Sequence, residues 1–505
     1  MAYLLGIDLG TSSVKALLVD SEGHTVGSGS AEYPILRPQP DHAEQDPEAW
    51  WQATIVAVRQ ALAHLPGATV AAIGLSGQMH GTVLLDKDGQ LITPAVIWPD
   101  RRSYAQVQEI TATIGAQRLI EITGSPIATG FQAATLRWMQ QERPHLWQQV
   151  RHILLPKDYL RWRMVGTPFY TDPSDAAGTL LLDAHKRDWS PVLLEALGLQ
   201  AEWLPQVQPS SAIHGALTDP AAEQLGLPSG IPVVIGAADT ASSALASGAF
   251  DPRTLLLTIS TGGQLVLPSN AVRVDRHGRI HTFCSALEPA AGQAGWYQMA
   301  ATLNAGVALR WLRDQVFEMQ GSDAYTQMST WAQDVPLGAR GLLFLPYLSG
   351  ERSPHMDPIA RGMFLGLSAH HSRAEMVRAV MEGVAFSCYD AYQVLVEMGA
   401  QPGRIIMAGG GARSSLWQHI VADVFNLPVH RLAIAEQSAL GAAILAGAGI
   451  GWHSPTVAAS QWAACDALVE PDRQNHAAYL ELIQIFRSAY RKHRDDFQIL
   501  SRYSL

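Results

Sequence analysis

This sequence predicts an α/β fold with mixed sheets, laid down twice along one chain. Three observations lead there. Short apolar runs alternate with amphipathic stretches of helical length, so strands and helices are mixed rather than segregated. Some runs are joined by tight turns and others across a helix, which calls for hairpins and crossovers in the same sheet. A strand, a turn of Gly and hydroxyl residues and a second strand occupy 4–20, and the same plan recurs at 254–268. The two halves therefore read as loose copies of each other.

The elements follow in order. Residues 4–7 form an apolar strand and 14–20 its partner, and Ser21, Glu22 and Gly23 turn the chain into a third strand at 24–31. Asp46, Pro47 and Glu48 open a helix that runs to His64. Asp caps the free N–H groups, Pro suits the first helical position, and Glu suits the positive helix end. Residues 70–75 are a buried strand ending in the turn Ser76, Gly77, Gln78, Met79, His80, Gly81, and strand resumes at 83–86. A domain boundary falls at 247–252. Beyond it, strands 254–259 and 264–268 flank the turn Ser260, Thr261, Gly262, Gly263. Ser372 and Glu375 form a capping box for a long helix to Met398, which Gly399 stops. Residues 404–408 are a strand, Gly409, Gly410 and Gly411 a loop, and 414–426 a helix. The Gly- and Ala-rich stretch 439–450 is too short to span a bilayer and suits a tightly packed buried helix. An aromatic-rich helix near Tyr479 to Tyr490 packs within the chain or across an interface.

Composition narrows the class. The chain has 505 residues, 48% of them hydrophobic and 16% charged, which is globular rather than disordered and long enough for two to four domains. A net charge of −10 argues against a general nucleic-acid binder. Cys284, Cys388 and Cys465 are far apart and form no CxxC pair, which points away from a disulfide framework or structural zinc and fits a reducing cytosol. The N-terminus lacks a basic region and Asp8 interrupts its apolar run, so it does not read as a signal peptide, and a cytoplasmic protein without membrane contact is expected.

The chemistry-bearing residues cluster in the small-residue turns. Backbone N–H groups and the hydroxyls of Thr11, Ser12 and Ser13 can converge on an anion, with Lys15 close by. Asp8 beside them would repel a bare phosphate, but with a divalent cation between them the pair becomes a metal–phosphate clamp. An ordinary hairpin with a solvated Asp is the plainer alternative. The turn carrying Thr261 and Gly262 has the same chemistry without the carboxylate and could hold the other side of a phosphate chain. Gly410, Gly411 and Ala412, between a strand and a helix, let a flat ligand approach the backbone at a helix N-terminus. Asp239 ends an apolar strand among small residues and is either a helix N-cap or a general base with room for a substrate hydroxyl. Gln78 and His80 are turn residues or donors to sugar hydroxyls. Trp98, Asp100 and Arg102 are a sugar platform or a structural Trp with a surface ion pair.

Assembled, these pieces resemble the FGGY carbohydrate kinases of the sugar kinase/Hsp70/actin superfamily, and among them are most similar to the xylulokinases. The resemblance is nearly full length. It is carried by GIDLGTSSVK at 6–15, HAEQDPEAWWQA at 42–53, GLSGQMHGTVLLD at 74–86 and WPDRR at 98–102. It continues through LLPKDYLRWRMVGTPFYTDPSDAAGTLLLD at 154–183, GAADTASSALASG at 236–248, FLPYLSGERSPHMDPIARGMFLGL at 344–367 and GGGARS at 409–414. It implies two ribonuclease-H-like domains, 1–246 for sugar and phosphate/Mg²⁺ and 247–505 for nucleotide, with the substrates in the cleft between them.

The implied reaction is ATP-dependent phosphorylation of a ketopentose, D-xylulose foremost. Asp239 is the implied base and Asp8 the implied Mg²⁺ holder, with Asp239 adjoining the metal. Gln78, Met79, His80, Trp98, Asp100, Asp239 and Thr240 are implied on the sugar. Thr11, Ser12, Ser13, Thr261, Gly262, Gly410, Gly411 and Ala412 are implied on the nucleotide. A homodimer is implied as well. The chain departs from the family where Thr240 replaces a common Asn, where Ser260, Thr261, Gly262, Gly263 replaces GTSG, and where Pro99 and Arg101 alter WNDGR. A kinase for another ketose or polyol, such as ribulose or a tetritol, and a non-catalytic ATP-switched or sugar-sensing module are the competing readings.

Overall fold

The computed structural model describes residues 2–321 and 323–503. Contacts divide the chain into two compact units. One comprises Met1–Asp251, Pro268–Tyr297 and Glu436–Ala463, the other Pro252–Leu267, Gln298–Ala435 and Ala464–Leu505.

The first unit is built on a sheet in which Ala2–Leu9 lies between Thr69–Gly77, parallel to it, and Ser13–Val19, antiparallel to it. Thr25–Glu32 continues the hairpin side, and Pro232–Val234 extends the parallel side. Alternation sorts the two faces. Leu5, Ile7 and Leu9 join Ile73 and Leu75 in a core with the fully buried Trp50 and Trp51 of the helix Pro47–Ala63. That helix begins as the sequence predicts, with Asp46 accepting from Glu48 N at 2.9 Å. Gly6 and Gly74, in between, face the other way and receive the helix Gln437–Gly449. A Cβ at Gly74 would stand 1.9 Å from Ala442 O, and one at Gly6 2.0 Å from Ala439 O. The Gly/Ala run is thus a backbone-to-backbone packing surface. This close approach is why Glu436–Ala463, far beyond the predicted boundary, folds with the first unit. Pro268–Tyr297 does so too.

The second unit repeats the plan. Thr254–Ile259 lies antiparallel to Gly263–Ser269 and parallel to Arg404–Ala408; Val429–Leu432 and Cys465–Val469 follow. Arg373–Glu397 forms with the predicted Ser372/Glu375 capping box. Ser414 caps Ser415–Phe425, and Asn426 ends that helix in a left-handed conformation. The aromatic-rich helix is Arg473–Ser501, and it packs within the chain: the Tyr479 hydroxyl donates to Glu382 Oε1 at 3.0 Å and accepts from Arg378 Nη2 at 2.9 Å. Among the described residues, no helix is long and apolar enough to cross a membrane.

Candidate active site

Sheet register brings the carboxylates of the first unit together. Asp8 pairs with Ser76, and Ala237 and Ala238 pair with Ser76 and Gly77 from the other side. The ends of three strands therefore present Asp8, the 76–81 turn and Asp239 at one edge. Asp239 is not the N-cap; Ala238 is, and Asp239 opens the helix Asp239–Ala246. Its Oδ1 accepts from Thr240 N at 2.6 Å and from Thr240 Oγ1 at 3.2 Å. Its Oδ2 has no hydrogen bond among the described residues. Burial lifts the Asp239 carboxyl to about 6 against the pull of the Thr240 donors. Thr240, the departure from the family pattern, thus holds the carboxylate it follows.

Burial, then the negative charge of Asp239, lifts Asp8 to about 7, against Ser76 and Lys15. Its Oδ1 is sealed from solvent with no hydrogen-bond partner, although the residue as a whole is partly exposed. An unbonded carboxylate oxygen beside a second carboxylate is a place where a divalent cation relieves both charges, so this donor set fits Mg²⁺. Among the described residues, no group of three or more His, Cys, Asp and Glu could hold a metal. An ion here would complete its shell with water and phosphate oxygens. Lys15 turns to Glu436, 2.6 Å away.

The turn between the first two strands is tied down. Gln45 Nε2 donates to Thr11 O at 2.7 Å, and Trp98 Nε1 donates to Thr11 Oγ1 at 2.9 Å. Thr11 Oγ1 is thus an acceptor for Trp98 and keeps its own proton to donate. Ser12 is exposed, and Ser13 begins the next strand. Gln78 is buried and donates to Gln45 Oε1 at 2.8 Å, which links the 76–81 turn to Thr11. Met79 is buried, with the Tyr297 hydroxyl 3.9 Å from its sulfur. His80 sits at φ 72, its Nδ1–H donates to Gly178 O at 2.6 Å, and its ring centroid lies 4.1 Å from that of Phe131. Trp98 is 40% exposed. The Asp100–Arg102 pair is buried rather than on the surface. Asp100 accepts from Ala43 N at 2.7 Å and from Arg102 Nε at 2.9 Å, and Arg102 also reaches Glu44 at 2.7 Å.

Behind this edge lies a cluster that sequence reasoning missed. Lys157, wholly buried, stands 2.6 Å from Asp158, 3.3 Å from Asp172 and 3.8 Å from Asp175. Asp172 accepts from Ser174 and, at 2.9 Å, from Ser210; Ser174 Oγ in turn accepts from Ala238 N at 3.0 Å. A polar chain thus runs from Lys157 to the residue before Asp239. The available signal was charge embedded in the apolar segments around 157 and 172–175.

The second unit holds a cavity of about 820 Å³, lined by Ser260, Thr261, Gly306, Tyr325, Gly410 and Trp417 among others. Thr261, Gly410 and Gly411 all line it. Gly262 and Ala412 do not line it; Ala412 is buried, and its carbonyl accepts from Gln418 Nε2 at 2.7 Å. Ser260 is not in a left-handed conformation, nor is Gly262, so the Ser-for-Gly departure carries no backbone strain. What Gly262 provides is clearance: a Cβ there would stand 2.5 Å from Thr302 O. The cavity residues from 306–333 lie in no motif; only folding brings them to the two glycine turns.

Comparison with known proteins agrees with this geometry. Residues 3–246 match the FGGY family of carbohydrate kinases, N-terminal domain, and residues 261–450 match the C-terminal domain of the same family. The chain belongs to the FGGY family of carbohydrate kinases. It is 36% identical over 489 residues to the xylulose kinase of Escherichia coli K12, covering 97% of this chain and 98% of that one. The crystal structure of xylulose kinase from Rhodospirillum rubrum superposes with a TM-score of 0.91 at 29% identity, covering 98% of this chain and all of the other. Gluconate kinase from Lactobacillus acidophilus superposes with a TM-score of 0.92 at 27% identity, each chain fully covered. The two sheet-rich FGGY domains are those of sugar kinases in the actin/Hsp70 superfamily, and the fold alone does not choose between sugars.

Proposed function

We propose that this carbohydrate kinase transfers the γ-phosphoryl group of ATP to the terminal hydroxyl of a ketopentose, D-xylulose, in the cytosol. The carrying observation is Asp239: a carboxylate lifted to about 6, one oxygen held by Thr240 and the other without a hydrogen bond, beside Asp8 and the Met79–His80 turn. The E. coli relative named xylulose kinase, at 36% identity, supports xylulose as the sugar. Three unpaired cysteines support a reducing compartment.

In this reading, Asp239 Oδ2 accepts the hydroxyl proton as the sugar oxygen attacks the γ-phosphorus. The bond from that phosphorus to the bridging oxygen breaks, and ADP leaves with the electron pair. Asp8 and Asp239 would hold Mg²⁺, which when bound neutralises charge on the phosphate oxygens. Thr11 offers its hydroxyl proton to a phosphate oxygen, while Met79, His80 and the open face of Trp98 position the sugar. Residues 1–246 carry the sugar and phosphate side, and 247–505 the nucleotide side, with the cavity of the second unit taking the nucleotide.

The deciding assay is ADP release with Mg-ATP against D-xylulose, D-ribulose, L-xylulose, L-ribulose, glycerol, gluconate and erythritol, with a no-sugar control. Stimulation by D-xylulose above the others is expected. Stimulation by a different polyol would place the error in the sugar pocket, and ATP binding without transfer to any sugar would leave an ATP-switched module. A second prediction concerns the cavity. Gly409 adopts φ 80 and ψ −175, and a Cβ there would stand 2.6 Å from Ile259 O. Gly409→Ala is expected to weaken ADP binding by about tenfold, because such backbone strain costs on the order of 1–3 kcal/mol. Calorimetric titration with ADP checks this; unchanged affinity would separate the glycine loop from the nucleotide.

A further inference from the structure

The stretch FLPYLSGERSPH, residues 344–355, is among the most specific in the sequence, yet none of its residues lines the cavity. Its hydrogen bonds converge on one segment. Leu303 N donates to Glu351 Oε1 at 2.6 Å, Asn304 Nδ2 to Gly350 O at 2.7 Å, and Ser349 Oγ to Asn304 Oδ1 at 3.0 Å. Ser353 and Ala301 bond reciprocally: Ser353 N donates to Ala301 O at 2.9 Å, and Ala301 N to Ser353 Oγ at 3.2 Å.

The segment held in this way grips the hydroxyl turn. Gly306 N donates to Ser260 O at 2.7 Å, and Ala305 N and Val307 N donate to Thr261 O at 3.1 and 3.0 Å. Gly263 N donates to Thr302 Oγ1 at 3.2 Å. Ser260, Thr261, Gly306 and Val307 are cavity wall. At the root of this stack, Glu351 is 2% exposed, and its Oε1 also accepts from Arg352 N at 2.7 Å. Burial lifts the Glu351 carboxyl to about 7 against these donors, and charged or protonated it keeps an oxygen that accepts from both N–H groups. Moving that carboxylate moves Leu303, and with it the donors that shape the turn.

We propose that Glu351 is a positioning residue for the nucleotide, fixing 301–307 through Leu303 N and, through that segment, the Ser260–Thr261 wall of the cavity. This rests on reading the cavity as the nucleotide site. Three variants test it: Glu351→Ala, Glu351→Gln, which keeps an acceptor oxygen in place, and Asn304→Ala, which cuts the neighbouring link. Each is measured for ADP affinity by calorimetry without sugar, for the separate KM values of ATP and sugar, and for Tm. Glu351→Ala and Asn304→Ala are expected to raise the ADP Kd and the ATP KM by about tenfold, the scale of one lost buried hydrogen bond. The sugar KM should stay within about twofold and Glu351→Gln should restore most of the affinity. If Glu351→Ala fails to fold, Asn304→Ala and Glu351→Gln decide. ADP affinity unchanged in folded variants, or a sugar KM that rises in step with that of ATP, would overturn the positioning role while the nucleotide reading stands. Failure of the parent protein itself to bind ADP would overturn both.

Discussion

Asp239→Asn is expected to lower kcat by on the order of 10²–10⁴, the usual contribution of a general base, while making the protein more stable at neutral pH. The amide cannot take the hydroxyl proton, but its oxygen can still accept from Thr240 N, so the helix start is preserved. Burial lifts the parent carboxyl to about 6 from an ordinary value near 3.8. The native state therefore binds a proton more tightly than the unfolded chain, and the charged form costs stability above that range. The cost is absent below the unfolded value and complete above the folded one. In EDTA at pH 8 the variant should melt higher than the parent, and at pH 5 the gap should shrink. ADP binding should be unchanged, since Asp239 does not line the cavity. Parent-like turnover would remove Asp239 from the chemistry, and equal melting at both pH values would remove the buried charge.

The other large effect is expected at Lys157. Burial works against its charge, but Asp158, Asp172 and Asp175 outweigh burial and hold the ammonium above its ordinary value. Burial likewise raises Asp175 well above the usual carboxylate range despite Lys157. Lys157→Met leaves these carboxylates without their cation in a site closed to water. Breaking a buried pair from one side costs about 3–5 kcal/mol. The carboxylates can escape that cost only by taking up protons, so the variant should be far less stable at pH 8 and recover part of the loss at pH 5. Because the chain Lys157–Asp172–Ser174 ends on Ala238 N, kcat should fall along with stability. A variant that melts with the parent at pH 8 would show that the cluster is not held together by ionic attraction.

By itself, the sequence determined everything whose cause lies within a few residues. Asp46 and Ser372 cap helices because their side chains reach their own first turns. The 4–20 and 254–268 hairpins form because apolar strands flank Gly and hydroxyl turns too short for anything else. Asp8, Thr11, His80, Asp239 and Gly410 stand out because polar or flexible residues interrupt those patterns at strand ends. Tertiary structure decided what depends on residues distant along the chain. It assigned the Gly/Ala helix to Gly6 and Gly74, because only clearance without Cβ atoms lets two backbones touch. It buried Asp100 against Ala43 N, tied Ala238 N to Ser174, and placed Lys157 among carboxylates from another segment. It also made one cavity wall from residues near 260, 306, 325 and 410. Electrostatic and packing contacts of this kind depend on distance in space, and a linear pattern records that distance only where the chain stays close to itself.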